Sequence, residues 1–125
     1  MGITLFMKGQ EIDFMPRYGG NRDSDTPAIV RMKFVPYEQV LAYGRMIAAR
    51  TKFLQDQSKA LEVTHEIQKK EFCDNIASVS GFSNGDREIT TAAELWEHAP
   101  AALINELIEA MEDAVKLTEG QRKNS

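Results

Sequence analysis

Cysteine is nearly absent. Cys73 is the single one in 125 residues, so no internal disulfide can staple the chain and a disulfide-rich secreted scaffold is excluded. No apolar run reaches the roughly 18 to 20 residues that a membrane span needs. Lys and Arg nowhere gather into a stripe, which argues against a nucleic-acid-binding surface. The opening Met1-Gly2-Ile3-Thr4-Leu5-Phe6 has neither the charged nor the long apolar part of a secretory leader. Phe6 also stands where a myristoylation signal takes Ser or Thr. The cytoplasm is therefore the expected compartment. Glycine forms no phosphate-cradling pattern, because Gly81 and Gly85 flank a turn rather than join a strand to a long helix. There is no internal repeat and no low-complexity tract.

What remains is an ordinary globular composition, 42% hydrophobic and 27% charged, at the length of one domain. Charge is unevenly spread. Residues 1–60 hold nine Lys/Arg against six Asp/Glu, a net of +3, and residues 61–125 hold six against thirteen, a net of −7. Such asymmetry can steer charged partners or stack copies head to tail, although acidic residues also commonly line solvated helix faces.

The first 35 residues have β character. Ile3 to Met7 and Glu11 to Met15 flank Lys8-Gly9-Gln10 as a short hairpin would. Arg17 to Thr26, with Gly19-Gly20, Asn21 and two aspartates, is expected to be part of a mobile loop over 17–27. In Ala28 to Phe34, Val30, Met32 and Phe34 alternate with Arg31 and Lys33, the pattern of a half-buried strand. So few strands need a helical cover.

Pro36 opens that cover. Val40, Ile47, Leu54 and Leu61 recur every seven residues, and Met46, Phe53, Ala60 and Ile67 repeat one position earlier, so the two series merge into one apolar stripe. A continuous helix over 36–80 would be on the order of 65 Å long, against a radius of gyration near 14 Å for a compact domain of this size (both approximate). Either the chain folds back around Gln55-Asp56-Gln57-Ser58, with Ser58 as a cap, or the helix projects onto another subunit. In both cases the stripe needs partners. Farther on, Asn84-Gly85 signals a tight turn. Thr91 to Glu94 spells a capping box. From Pro100 a second amphipathic helix, expected over 100–118, carries Leu103, Ile104, Leu107, Ile108, Met111, Ala114 and Val115 on one face, and residues 120–125 form a polar, frayed tail. The resulting expectation is an α+β single domain, with a small antiparallel N-terminal sheet packed on a mainly helical part over 36–119.

Catalytic and metal signals are thin. Glu62-Val63-Thr64-His65 matches the Glu-x-x-His unit of di-iron bundles, but its nearest complement, Glu94 with His98, has the wrong spacing. Cys73 lies between carboxylates that disfavour a thiolate. His65 and His98 have no sequence partner that would make a triad, and Trp96 suits a core position. No catalytic residue, cofactor or metal is assigned. The contending classes are a small helical metal-binding protein or enzyme built on Glu62, His65, Glu94 and His98, and an adaptor domain.

The stretch Phe72–Ser125 carries a resemblance. Asp74-Asn75-Ile76-Ala77-Ser78-Val79 ends a helix, and a Gly-containing turn leads to Glu88-Ile89-Thr90-Thr91. Glu94-Leu95 and Pro100 introduce the helix Leu103 to Met111, and Leu117-Thr118-Glu119-Gly120-Gln121-Arg122-Lys123-Asn124 follows. This is similar to the small tail assembly chaperones of long-tailed bacteriophages and prophages, over roughly residues 28–125. The resemblance implies a non-enzymatic protein that coats the helical tape measure protein, helps recruit tail tube subunits, and is absent from the finished virion. Family members often exist in a short and a frameshift-extended form. On the residues themselves, Val40, Met46, Ile47, Phe53, Leu54, Leu61 and Ile67 are the expected partner-binding or self-association set, in a homo-oligomer that binds neither nucleic acid nor membrane.

Overall fold

The structure, a computed structural model, describes residues 2–121. Its elements run β1 (Glu11–Phe14), a 3-10 helix (Tyr18–Asp23), β2 (Ile29–Lys33), α1 (Tyr37–Thr51), α2 (Gln57–Asp74) and β3 (Ile76–Ser80). The hairpin β4 (Phe82–Asn84) and β5 (Arg87–Ile89) comes next, then α3 (Ala92–His98), α4 (Ala101–Glu112) and α5 (Ala114–Glu119). The fold is α+β: β1, β2 and β3 form an antiparallel sheet in that order, beside a helical region.

The sheet draws on residues far apart in the chain. Ile12 and Phe14 face Met32 and Val30 across the β1–β2 pair, and all four are buried. Arg31, on the opposite face, reaches Asp13 Oδ1 at 2.9 Å. The expected hairpin of residues 3–7 with 11–15 does not form. The turn itself does: the Gln10 amide donates to the Met7 carbonyl at 2.9 Å, with Gly9 at φ +77°. It leads into β1 and lies beside the end of β2, where Gly9 N–H donates to Phe34 O and Phe34 N–H to Gln10 O. Pairing with β2 gives Ile12 and Phe14 buried apolar neighbours that Ile3 and Leu5, both exposed, do not offer.

The third strand corrects the expectation of helix over 36–80. β3 contains a bulge: Arg31 pairs with Ser78 while Met32 pairs with Ile76, leaving Ala77 over. Ile76 and Val79 therefore both face the core at a spacing of three, which in sequence continues the helical rhythm of Phe72. Upstream, the chain folds back between α1 and α2, as one of the two alternatives required. The cap is Asp56, whose carboxylate accepts from Ser58 N–H at 2.8 Å, rather than Ser58.

Asn84 pairs with Arg87, so Gly85-Asp86 is the two-residue loop. Gly85, at φ +66°, occupies its first central position. Thr91 caps α3 by accepting from Glu94 N–H at 3.2 Å. The expected single helix after Pro100 is divided at Asp113, which caps α5 through Val115 N–H at 2.9 Å. Phe72, Leu95, Leu103, Leu107, Met111 and Leu117 fill the core with the sheet residues, and Trp96 packs edge-on to Phe72 at 5.3 Å.

The segment expected as a loop over 17–27 is tied at several points. The Asn21 side chain donates to Pro16 O and Ala28 O and accepts from Ala28 N–H. The Glu106 carboxylate accepts from the Arg17 and Tyr18 amides at 2.6 and 3.0 Å. Of the tail expected over 120–125, Gly120 is buried against the Phe14 ring and its carbonyl accepts from Met15 N–H. Residues 122–125 lie outside the described residues.

Candidate functional site

The stripe on residues 40–67 becomes the seam and one flank of the α1–α2 helical hairpin. Folding back at 52–56 turns the seven-residue repeat on itself, so part of it is used within the chain. Val40 and Ile47 are half-buried and Ile67 is 1% exposed. Met46, Phe53, Leu54 and Leu61 stay in water, Phe53 at 86% and Leu61 at 55% exposure. The seven expected residues thus divide into three that help build a cleft and four that lie exposed in or flanking the turn between the two helices.

The cleft lies between α1 and α2, has a volume of about 460 Å³, and is walled by Val40, Tyr43, Ile47 and Ile67. Tyr43 fixes its geometry. The phenol donates to Asp74 Oδ2 at 3.2 Å and accepts from Asn75 Nδ2 at 3.1 Å, while Asn75 also donates to Glu71 O at 2.8 Å. Lys70 reaches the same Asp74 carboxylate at 2.8 Å. Toward the turn, Arg50 and Glu66 clamp the two helices at 3.1 Å. Gly44 borders the cleft, and a methyl group at that position would meet nothing within 4 Å.

Two carboxyl groups, Glu71 and Glu112, also line this cleft. Glu71 is 2% exposed; no donor among the described residues reaches its Oε2 as a carboxylate, and its carboxyl group hydrogen-bonds the Glu112 side chain. Burial, reinforced by the neighbouring Glu112, pushes the Glu71 carboxyl up to about 8. It therefore holds a proton at neutral pH. Sequence reasoning passed over Tyr43, Glu71 and Glu112. A glutamate in a polar helix looks solvated, and only the hairpin together with α4 encloses this one.

A second apolar surface follows the extended arm before β1. Phe6 packs on Phe34 with centroids 5.5 Å apart, while Ile3, Leu5 and Met7 are exposed. A groove of about 790 Å³ runs between this arm, Tyr37 and Val115.

The contending metal constellation is not assembled. Glu62 and His65 are exposed on α2. Glu94 is occupied with Thr91 and Arg87, and His98 lies 3.4 Å from Asn84. No group of three or more His, Cys, Asp or Glu that could hold a metal occurs among the described residues. Cys73 is half-buried, and burial raises its thiol above the ordinary range, with Asp74 adding to the effect against Lys69. No helix among the described residues is long and apolar enough to cross a membrane. Comparison of the chain with protein-family models, curated proteins and solved structures finds no match.

Proposed function

We propose that the chain is a non-enzymatic tail assembly chaperone of a long-tailed phage or prophage. It works in the host cytoplasm, self-associates, holds the tape measure protein and helps recruit tail tube subunits. The observation that carries it is the unpaired half of the hairpin stripe. Met46 on α1, Leu61 on α2, and Phe53 and Leu54 in the turn between them stand in water, and exposed apolar side chains of this kind suit contact with an elongated helical client. Methionine among them adapts to varied client side chains. The sequence likeness over residues 28–125 supplies the identity of the client.

The test is co-expression with the tape measure protein of the same genome. The wild-type chain keeps the client soluble and co-purifies with it. The triple variant Phe53→Ser, Leu54→Ser, Leu61→Ser loses at least tenfold of the captured client and keeps its melting temperature, because these side chains are largely outside the core. A wild-type chain that leaves the client aggregated and uncaptured overturns the proposal.

A further inference from the structure

We infer that the chain joins a second copy of itself by strand addition, residues 3–7 of one copy pairing antiparallel with the open outer edge of β3 in the next. This specifies the self-association in the reading above, and it is carried by the sheet and the arm alone, without the client.

The two edges of the three-stranded sheet differ. The outer edge of β1 is closed at one end, where Phe14 bridges to Gln121 and Met15 N–H donates to Gly120 O. The rest of β1 carries Glu11 and Asp13, charges of the kind that keep a sheet edge from pairing. The outer edge of β3 has neither protection. Among the described residues β3 pairs only with β2, and beyond that ladder no backbone hydrogen bond engages residues 76–80. Its sequence Ile76-Ala77-Ser78-Val79-Ser80 holds no charge and no proline, and Ala77, Ser78 and Ser80 are exposed. The bulge lies at Ala77, so Ser78 to Ser80 keep regular strand register. Such an edge is a template for one more strand.

The same molecule holds a strand without a sheet. Residues 2–7 belong to no helix or strand, and among the described residues no backbone hydrogen bond engages residues 3–6. Ile3, Leu5 and Met7 are 90%, 78% and 73% exposed at alternate positions, while Phe6 between them packs on Phe34. That is the period of a strand with one face uncovered. The arm cannot serve its own β3. It runs beside Val115 and Thr118 of α5, and α5 leads into Gln121 on the β1 side of the sheet, with β2 between the arm and the open edge. Only another copy brings arm and edge together.

Charge favours that meeting. Lys8 is the one charged residue among residues 2–8, whereas β3 is flanked by Asp74 before it and by Asp86 and Glu88 after it. Antiparallel pairing brings Lys8 to the start of β3, beside the exposed Asp74. Lys70 and Tyr43 both use Oδ2 of that carboxylate, which leaves Oδ1 for Lys8. Because arm and edge are different surfaces, the contact is heterologous and every copy offers one of each.

The experiment mixes full-length chains carrying carbon-labelled methyl groups with full-length chains carrying nitrogen-labelled amides, at millimolar concentration, and records isotope-filtered nuclear Overhauser contacts. The expected result is contact from the Leu5 methyls of one copy to the Ser78 and Ser80 amides of the other. Amide exchange at residues 3–7 and 78–80 slows as concentration rises. In light scattering, Thr4→Pro, which removes an arm amide, and Leu5→Lys, which charges the uncovered face, each raise the concentration of association at least tenfold. Both keep the melting temperature, since Thr4 and Leu5 are exposed. A monomer at millimolar concentration, association without the Leu5 contacts, or undiminished association of both variants overturns the inference. The two proposals fail separately. Arm-to-edge contact with the tape measure protein left aggregated removes only the chaperone role, and client capture by a chain that shows no such contact removes only strand addition.

Discussion

Glu71 shows what one buried acid does to a small domain. Its carboxyl titrates near 8 in the fold, against an ordinary 4.5. Between those two values the folded chain keeps a proton that the unfolded chain releases, so folding weakens as pH rises. The contribution is fully present below about pH 4.5 and lost as pH passes 8, at no more than about 1.4 kcal/mol per pH unit. Replacement by glutamine removes the titrating group. The melting temperature of Glu71→Gln should thus gain steadily on that of the wild type from pH 5 to pH 8.5, measured by circular dichroism. A constant difference across that range would mean that Glu71 ionises as freely in the fold as in the unfolded chain. Ile67, one turn earlier on α2, illustrates the opposite case, an apolar side chain that the fold-back buries.

At the scale of elements, the boundaries are set by side chains that satisfy helix ends. Asp56 is the clearest instance, because its carboxylate on Ser58 N–H starts α2 straight after the turn that reverses the chain. Asp56→Ala should destabilise the protein by about 1 kcal/mol and speed hydrogen exchange in the first turn of α2, with the α4 amides slowed as before. Local signals of this kind were legible in the sequence: Thr91 at α3, the turn at Gly9 and the alternation of β2 all stand where residue type and spacing put them. Two features of the sheet were not legible. β3 was hidden because its bulge brings Ile76 and Val79 to one face at a helical interval. The partner of β1 was misjudged because the nearest apolar segment in sequence is not the one that buries Ile12 and Phe14. In both cases a long-range pairing outweighed a local pattern.

For the molecule as a whole, the question is how much of its apolar surface a single copy conceals. The sheet, α2 and α4 close a continuous core, yet Ile3, Leu5, Met7, Phe53, Leu61 and Val115 remain exposed on the arm, the hairpin and α5. Two such surfaces on one small domain favour self-association. Multi-angle light scattering should show the wild-type chain shifting from monomer to a larger species as concentration rises, and Phe53→Ser with Leu61→Ser should move that transition at least tenfold higher. A strict monomer at millimolar concentration would confine the exposed stripe to client contacts.

By itself the amino-acid sequence determined the α+β class, the alternating strand within Ala28 to Phe34, the helix starts at Pro36 and Thr91, and the need for the stripe over 40–67 to find partners. These follow from residue type and periodicity, which act over a few neighbours. Tertiary structure alone decided which half of the stripe is spent inside the hairpin and which faces water. It also decided that Glu71 meets Glu112 at an apolar cleft, some forty residues distant in sequence. The reason is that burial and dielectric are properties of surroundings assembled from several elements at once, and no window along the chain contains them.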